Sequence, residues 1–439
     1  MTREDQQKRM EDIVSLCKRR GFIFPGSEIY GGLAGTFDYG PLGVALKKNI
    51  QESWWKHFVT SRSDMYGIDA AIIMNPRAWE ASGHVSGFSD PLSECTVCKH
   101  RFRTDHLTDK KSCPDCGKQL REPRQFNMMF RTNVGAMEDA TSLAYLRPET
   151  AGGMFVNFKN VVDSLHPKLP FGLAQIGKAF RNEIAPRDFI FRLREMEQME
   201  IEYFCHEKEW EKHFEQLRKE MGSWMDSIGL PKSKIHEVEI GDGDRAHYSK
   251  RTVDFEFDFP IGQKELAGLA YRGDFDLKQH SEFSKVDLSY FDEELKERFL
   301  PHCIEPSVGV ERTILAVLAS AYDEEKLEDN ETRIVLRLKP LIAPVQVAVL
   351  PLSKKEELSG LAQDIKKTLA KHVRVLYDET QSIGKRYRRQ DEIGTPYCVT
   401  VDFDTIHDNA VTVRDRDSMK QERIKIDELE MYINQKVSS

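Results

Sequence analysis

Arginines concentrate in two segments near the middle of the chain, where their side chains suit a phosphate ligand. The first is Phe180-Arg181-Asn182-Glu183, and the second, after a loop containing Pro186, is Phe191-Arg192-Leu193-Arg194. Arginine grips phosphate bidentately and stays charged. Two strands joined by a loop would point these arginines into one cleft, with Glu183 on the Arg181 face to receive the amino group of a base. The alternative is a charged, solvated hairpin.

Acidic residues follow in Gln198-Met199-Glu200-Ile201-Glu202. If one unbroken strand starts at Arg192, these glutamates share a face with Arg192 and Arg194, because side chains alternate along a strand. That face would change from cations to anions, which suits a ligand with phosphate at one end and ammonium at the other. A ladder of internal salt bridges is the alternative.

A third segment, Glu305-Pro306-Ser307-Val308-Gly309-Val310-Glu311-Arg312, leads into an apolar run from Thr313 to Ala321. The pattern predicts a strand, a tight glycine turn and a buried helix that begins with an arginine. Such an arginine is costly unless it meets an anion. We therefore expect Arg312 to be functional.

Four cysteines form two pairs with the spacing of a zinc ribbon, Cys95/Cys98 and Cys113/Cys116. Each C-x-x-C turn brings two sulfurs onto one ion. Two disulfides are the alternative, but they need an oxidising compartment that the charged N-terminal segment does not support. Four thiolates leave no open coordination position, so the metal would hold the fold together and do no chemistry.

Composition limits the class of protein. The chain has 439 residues, 40% of them apolar, and a formal charge of −8. This length allows two or three domains, and the charge argues against coating nucleic acid through bulk charge. Any RNA contact must be local. Without an apolar run of about 18 residues or an apolar leader, we expect a cytoplasmic protein with no membrane segment.

Periodicity predicts the elements that position these residues. A short helix over 10–20 precedes a Gly-rich loop, 31–35, and a second helix opens at Pro41. Its apolar face suits either core or a dimer interface, and consists of Leu42, Leu46, Ile50, Trp54 and Phe58. Residues 145–312 read as a large antiparallel sheet, clearest in the alternating strand 253–259, with a charged helical insertion over 206–250. A compact α/β unit follows from Pro340.

The last unit contains a basic run with an aromatic inside it, Lys385-Arg386-Tyr387-Arg388-Arg389. Clustered cations and an aromatic ring suit single-stranded RNA, which exposes both phosphates and bases. A plain amphipathic helix start, or support for a neighbouring RNA surface, is the alternative.

Taken together, the motifs resemble the class II aminoacyl-tRNA synthetases, and specifically the dimeric type of glycyl-tRNA synthetase. The resemblance covers nearly the whole chain. Its most specific pieces are RGFIFPGSEIYGGLAGTFDYGPLG, the proline-led helix (motif 1), LRPETAGGMF, IGKAFRNEIAPRDFIFRLREMEQMEIEYF (motif 2), DFDLKQH, CIEPSVGVERT (motif 3) and QSIGKRYRRQDEIGTPYCVT.

The resemblance implies an α+β fold. A catalytic domain over 1–335 would carry an antiparallel sheet, a zinc-ribbon insertion at about 91–124 and the helical insertion, followed by an anticodon-binding domain over 340–439. It also implies a homodimer built through motif 1. The implied activity is ATP-dependent activation of glycine and its transfer to tRNA(Gly), with Mg²⁺ beside the ATP.

Site residues carried over from the resemblance fall into three sets. Arg181 and Arg312 would be catalytic. The ATP set is Arg181, Asn182, Glu183, Phe191, Arg192, Leu193, Arg194, Glu195, Met196, Glu265, Leu266, Gly309, Val310, Glu311 and Arg312. The glycine set is Arg103, Glu149, Met196, Glu197, Gln198, Met199, Glu200, Glu305, Pro306, Ser307, Val308 and Gly309.

The chain departs from the family pattern at a few positions. Gly152 stands where family members usually have glutamine, Met196 where they have phenylalanine, and 261–264 lack an expected tryptophan and paired glycines. Two rival functions stay open: a class II synthetase for another small amino acid, and a non-catalytic nucleic-acid-binding accessory subunit. A threonine enzyme would need an open zinc site, and an accessory subunit would lose the ATP arginines.

Overall fold

The computed structural model describes residues 2–136, 138–139, 141–246, 248–327 and 331–438. Within these residues the α-helices are α1 (Arg3–Arg20), α2 (Pro41–Trp55), α3 (Pro76–Ala81), α4 (His84–Gly87), α5 (Ala151–Leu165), α6 (Trp210–Ser227), α7 (Phe275–Ser284), α8 (Val310–Ala321), α9 (Glu356–Leu369), α10 (Ile383–Ile393), α11 (Thr405–Asp408) and α12 (Ile426–Ser438). A π-helical turn, Lys56–Thr60, extends α2.

The strands of the described residues form several sheets. They are β1 (Ile23–Pro25), β2 (Phe37–Tyr39), β3 (Met65–Gly67), β4 (Ser89–Glu94), β5 (Arg101–Arg103), β6 (Arg124–Asn127), β7 (Arg131–Asn133), β8 (Leu143–Tyr145), β9 (Phe171–Phe180), β10 (Glu195–Cys205), β11 (Ile235–Glu239), β12 (Arg251–Phe259), β13 (Gly262–Gly273), β14 (Tyr290–Asp292), β15 (Glu297–Phe299), β16 (His302–Gly309), β17 (Tyr322–Lys326), β18 (Thr332–Leu336), β19 (Val347–Pro351), β20 (Val375–Tyr377), β21 (Tyr397–Val401), β22 (Ala410–Asp415) and β23 (Gln421–Lys425).

A seven-stranded sheet dominates the first part of the chain, in the order β11-β12-β13-β16-β10-β9-β3. Its neighbours pair antiparallel, except that the edge strand β3 runs parallel to β9. The strand predicted over 253–259 lies within β12, where Val253, Phe255, Phe257 and Phe259 are buried and the acids between them are not. The alternation therefore reflects one buried face of β12 and one more exposed face.

Helix α2 begins at Pro41, as predicted, and its apolar face packs inward. Leu46, Ile50 and Trp54, with Phe58 in the π-helical turn, lie in the main hydrophobic core. Gly43 permits a close approach to the first strand, since a Cβ there would lie 1.8 Å from the Phe22 carbonyl oxygen. Of the two interpretations of this face, core of the same chain is the one observed.

The segment predicted as a helical insertion, 206–250, belongs to the sheet layer itself. Helix α6 buries Phe214, Leu217, Met221 and Trp224 in the main core, and β11 pairs with β12. The charged residues that suggested an insertion occupy the outer face of an amphipathic helix.

Besides four two-stranded pairs, two smaller sheets lie in the described residues. Strands β5-β4-β6 form a three-stranded sheet around the paired cysteines. The C-terminal unit has a five-stranded sheet, β20-β19-β21-β22-β23, with β19 parallel to β20 and β21. This unit buries its own core between the sheet and α9 and α12. The α/β unit expected after Pro340 is present, with β23 and α12 added.

A buried arginine network, formed by Arg333, Arg414 and Arg416 around Asp391, joins this unit to the hairpin β17–β18. Asp391, in α10, accepts hydrogen bonds from Arg333 Nε at 2.8 Å and from Arg414 Nη1 at 2.9 Å. Arg333 also pairs with Glu325 at 2.7 Å, and Arg416 pairs with Asp417 at 2.7 Å. Each cation therefore has an anionic partner.

Helices of membrane-spanning length and apolarity do not occur among the residues that the structure describes.

Candidate active site

Strand β10 separates two environments because its side chains alternate. Gln198 and Glu200 face the start of α5 and the neighbouring Ser307. Met199 and Ile201 face the opposite way, into the main core. The first face carries the acidic pocket described below, and the second packs beneath it.

The centre of this pocket is Glu200, which is only 2% exposed. Its Oε1 accepts hydrogen bonds from Gln198 Nε2 and Ser307 Oγ, both at 2.7 Å. Its Oε2 accepts from the Thr150 backbone N–H at 3.0 Å and from the Thr150 hydroxyl. The carboxylate is thereby fixed in orientation.

Further acids surround Glu200. Glu149 Oε2 lies 3.2 Å from His84 Nε2. Glu305 accepts from Arg272 Nη1 at 2.9 Å, and Arg272 also binds Asp276 with two hydrogen bonds of 2.8 Å. The Arg272 guanidinium stacks 3.7 Å from the centre of the Tyr248 ring, which fixes its plane.

Acids outnumber cations in this pocket. Among the described residues, its acids are Glu149, Glu200, Glu202, Glu305 and Asp276; Arg272 is the arginine that pairs with them, and the charges of Arg147 and Arg181 also reach Glu200. Burial raises the pKa of Glu305 to about 8, despite the opposing charge of Arg272, and burial also raises the pKa of Glu200 and Glu202. Burial alone would raise the pKa of Glu149 too, but His84 outweighs it and the pKa falls to about 2. A cationic guest would relieve this surplus.

A cluster of arginines lies toward the other end of the site, around Glu265. Arg312 Nη1 is 3.0 Å from Glu265 Oε2, and the Glu265 side chain is 50% exposed. The charge of Arg312, followed by those of Arg181 and Arg192, lowers the pKa of Glu265. These three guanidinium groups therefore converge on one open region, as a polyanion site requires.

The local structure orients each arginine. Arg312 lies in the first turn of α8, with its guanidinium 4.6 Å from the centre of the Phe191 ring. Arg181 donates from Nε to the Pro148 carbonyl at 3.0 Å. Arg192 Nη1 lies 4.0 Å from Glu183 Oε2.

The unbroken strand predicted from Arg192 to Glu202 is wrong. Strand β9 ends at Phe180 and β10 begins at Glu195, so the chain between them is a loop, with positive φ at Asp188 and Phe189. Arg194 ties this loop to the Gly-rich loop by donating to the Ala34 carbonyl at 2.8 Å. The arginines still meet, but loop contacts bring them together in place of strand alternation.

Several residues assigned by resemblance have side chains that leave the site. Those buried in the main core are Met199, Val308, Leu193, Leu266 and Val310. Pro306 is also buried. Glu197 bonds Lys47 and Gln51 of α2, and Glu311 accepts from the Glu197 backbone N–H. Alternation sends Glu197 and Met199 of β10, and Pro306 and Val308 of β16, to the face opposite Glu200.

The remaining assigned residues lie around the cleft. Asn182 donates its backbone N–H to the Met128 carbonyl at 2.7 Å, and Gly309 caps α8 opposite Gln198. Glu195 is the exception, since it pairs with Lys178 on the Glu197 face of the sheet. Arg103 is held by Asp90 at 2.7 Å and Asp105 at 3.0 Å. The charges of Asp105, Asp90 and Glu183 outweigh burial and raise the pKa of Arg103, so this arginine lies toward Glu183.

The departure from the family pattern at Gly152 has a packing explanation. A Cβ there would lie 2.9 Å from the Trp79 ring, which is fully buried. Trp79 therefore fills the space beside Gly152. Met196, the other departure, is half-buried and packs against the main core.

Sequence reasoning missed part of the pocket, namely Arg272, Asp276, His84 and Tyr248. The sequence carried one signal for Arg272 and Asp276, namely an arginine and an aspartate four residues apart. They lie where β13 ends and α7 begins. His84 and Tyr248 come from short segments without periodicity, and only the folded chain brings them to the acids.

The cysteine pairs come together as one cluster. Their four sulfurs lie within 4.8 Å of one another, with Cys95 to Cys116 at 3.5 Å and Cys98 to Cys113 at 3.6 Å, and all four cysteines are free. Zn–S bonds of about 2.3 Å in a tetrahedron need sulfurs roughly 3.8 Å apart. The donor set and spacing fit zinc better than two disulfides, whose sulfurs would lie about 2.05 Å apart.

The basic run on α10 divides into two groups. Arg386 is 3% exposed and donates to the Pro351 carbonyl, while Arg389 pairs with Asp378 at 2.5 Å. Lys385 is exposed and Arg388 is half-exposed. Arg386 and Arg389 therefore support the fold, which leaves Lys385 and Arg388 as the outward cations.

Two family models match this chain. One, described as "tRNA synthetase class II core domain (G, H, P, S and T)", covers residues 132–321, and one described as "Anticodon binding domain" covers 346–436. A glycine–tRNA ligase of Acetivibrio thermocellus is 52% identical across 98% of this chain and 99% of its own length. One of Geobacillus thermodenitrificans is 50% identical across 99% of both.

The chain belongs to the glycine–tRNA ligase family. The fold agrees, since a prolyl-tRNA synthetase structure from Cryptosporidium parvum matches 97% of this chain and 75% of its own with a TM-score of 0.67 at 17% identity. The expected family and the α+β class II fold with a following anticodon-binding domain are thereby confirmed.

Proposed function

We propose that this chain activates glycine with ATP and transfers it to tRNA(Gly). The observation that carries the proposal is the buried surplus of acids around Glu200, next to a cleft where three arginines converge. The ammonium group of an amino acid would bind among these acids, and its carboxylate would meet ATP in the arginine cleft. The glycine–tRNA ligase relatives, about 50% identical over nearly the full length, support the same substrates.

The acidic pocket would hold the ammonium group of glycine between Glu149, Glu200 and Glu305. Glycine offers no side chain, so recognition must rest on its charged groups. A methyl group is worth only about 1–3 kcal/mol by apolar contact. Rejection of alanine would instead come from a crowded, charged pocket that leaves no room for a methyl group.

The arginine cleft would hold ATP. Arg181 would contact the α-phosphate, Arg312 the γ-phosphate, and Glu183 the adenine amino group. The ionised, half-exposed Glu265 fits a Mg²⁺ ligand, and the ion would neutralise phosphate charge when bound.

The first reaction joins a glycine carboxylate oxygen to the α-phosphorus of ATP and breaks its bond to the pyrophosphate oxygen. The carboxylate is already ionised, so no general base is required, and catalysis rests on positioning and on charge stabilisation by Arg181 and Arg312. In the second, the 3′-hydroxyl of the terminal adenosine of tRNA attacks the carbonyl carbon and expels AMP, and its proton is lost.

The finer organisation belongs to the same proposal. A structural zinc at Cys95, Cys98, Cys113 and Cys116 would stabilise the ribbon over about 91–124 and so place Arg103. Residues 1–335 would form the catalytic domain and 340–439 the anticodon-binding domain, with Lys385 and Arg388 touching tRNA. We place the protein in the cytoplasm as a homodimer.

Pyrophosphate exchange into ATP, tested with each of the twenty amino acids and no tRNA, examines the proposal. Exchange with glycine alone, lost in Arg312→Ala and retained in the distant hairpin variant Arg298→Ala, is the expected result. Exchange with a different amino acid would move the assignment to another class II specificity. Absence of exchange with any amino acid would favour a nucleic-acid-binding scaffold.

A further inference from the structure

A charged cluster lies behind the substrate face of β10, on the side opposite Glu200. Its members are Lys47 and Gln51 of α2, Glu197 of β10 and Glu311 of α8. Glu197 accepts from Lys47 Nζ and from Gln51 Nε2, each at 2.5 Å. The Lys47–Glu197 pair is largely shielded from water, with side chains 17% and 14% exposed.

Glu311 connects this cluster to the cleft. Its Oε2 accepts the Glu197 backbone N–H at 2.9 Å, and the residue is buried. The next residue is Arg312, and the residue after Glu197 is Gln198, which bonds Glu200. This hydrogen bond adds a side-chain link between the first turn of α8 and β10 to the backbone pairing of Gln198 with Gly309.

The surroundings make this tie sensitive to charge. The groups that face Glu311 are Glu197, Lys47 and Tyr39, and Lys178 with its partner Glu195 lies on the adjoining strands. Lys47 Nζ also lies 4.8 Å from the centre of the Tyr39 ring. Burial, and then the charge of Glu197, raises the pKa of Glu311 to about 7. Lys47 is the ammonium that offsets the two carboxylates.

We propose that Lys47, Glu197 and Glu311 are positioning residues that hold Arg312 in register with the acidic pocket, so that motif 1 acts on ATP through the back of β10. The inference rests on the proposed function, because Arg312 matters only if ATP binds there. A misplacement of about 1 Å can cost roughly 10²-fold in rate. Loss of this buried hydrogen bond, one residue from Arg312, should therefore lower the reaction rate by a large factor.

The first test compares Glu311→Ala with Glu311→Gln in glycine-dependent pyrophosphate exchange. The alanine variant removes the acceptor for the Glu197 N–H, and we expect KM for ATP to rise about tenfold and kcat to fall about tenfold. Glycine affinity without ATP should stay near wild type. Glutamine keeps an acceptor oxygen, so it should restore most of the activity. Equal impairment of both variants would overturn the proposal.

The second test uses Lys47→Met, with the exposed neighbour Lys48→Met as its matched control. Without Lys47 the two carboxylates repel unless one is protonated, so the loss should be several-fold larger at pH 8 than at pH 6. A loss that is independent of pH, or a fall in melting temperature with unchanged ATP kinetics, would contradict the positioning role. If the wild type catalyses exchange and the variants are unaffected, this inference alone is wrong. If the wild type catalyses no exchange, the proposed function is wrong.

Discussion

The acidic pocket and the arginine network around Asp391 are both buried charge clusters, and they differ in charge balance. In the network, Asp391 meets Arg333 at 2.8 Å and Arg414 at 2.9 Å, Glu325 also pairs with Arg333, and Asp417 pairs with Arg416. In the pocket, the acids exceed the cations among the described residues, and Glu202 Oε1 has no hydrogen-bond partner.

This difference separates structural charge from charge that awaits a ligand. Burying an ion costs several kcal/mol unless a partner compensates it. A balanced cluster compensates within the chain and fixes geometry. In an unbalanced cluster the free-energy cost of burying charge remains until a ligand of opposite charge binds. Functional sites therefore hold strongly perturbed pKa values.

Replacing Asp391 with asparagine should give the largest effect on stability. The change leaves Arg333 and Arg414 facing a neutral group, so the free energy of opening α10 should fall by about 3–5 kcal/mol. Hydrogen exchange of the α10 amides measures this, with the exposed Asp364→Asn as control. Glycine-dependent exchange of pyrophosphate should remain close to wild type, and a matching loss there would blur the distinction between the two clusters.

Replacing Glu200 with glutamine should have the reverse pattern. Loss of one carboxylate that faces the ammonium group should lower kcat/KM for glycine by about 10²-fold. The free energy of unfolding should fall by less than in Asp391→Asn, because the loss of surplus charge offsets the hydrogen bonds that the glutamine amide nitrogen cannot accept. Steady-state kinetics and urea unfolding check both, with exposed Glu282→Gln alongside. A destabilisation as large as that of Asp391→Asn would make Glu200 a structural residue.

Removing metal from the cysteine cluster should have a smaller effect on activity. The ribbon strands would lose order, and Arg103 would lose its fixed place near Glu183, so exchange should fall roughly tenfold without being abolished. Metal analysis should find one zinc per chain, and none in Cys113→Ser. A chain that holds no zinc, or a ribbon unchanged by chelation, would contradict this.

The smallest effect is expected on α10. Replacing Lys385 and Arg388 with glutamine should reduce the slope of log K for tRNA binding against log salt concentration by about two. Each lost phosphate contact contributes roughly 0.9 to this slope. Arg386→Gln should leave the slope unchanged and lower stability, because that side chain is buried against the Pro351 carbonyl. Filter binding across salt concentrations distinguishes them.

Much of the fold could be predicted from the sequence, because its signals are local. Pro41 marks the start of α2, and the alternation over 253–259 marks one dry face of β12. The family motifs nominated Glu149, Glu200, Glu305 and Arg312; the structure buries the three glutamates in one pocket and sets Arg312 beside Glu265.

What failed depended on where strands begin and on which way they face. The loop before Glu195 broke the parity argument that linked Arg192 and Arg194 to Glu200. The resemblance also assigned Glu197 and Glu311 to the site, but Glu197 lies on the face of β10 opposite Glu200, and Glu311 accepts its backbone N–H. A run of cations did not show that Arg386 and Arg389 turn inward, since burial is set by the neighbouring strands. The His84 contact with Glu149 joins distant segments, and no spacing in the sequence encodes it.

The most direct test of the central claim is calorimetry of glycine binding between pH 6 and pH 8, in buffers of different ionisation enthalpy. The unbound pKa of Glu305 is about 8, so this acid is largely protonated at pH 7, and an ammonium guest favours its ionised form. The account predicts that binding releases protons and that affinity rises with pH up to about 8, above which release fades. Binding without proton release and with affinity independent of pH would show that the acidic pocket does not hold the ammonium group.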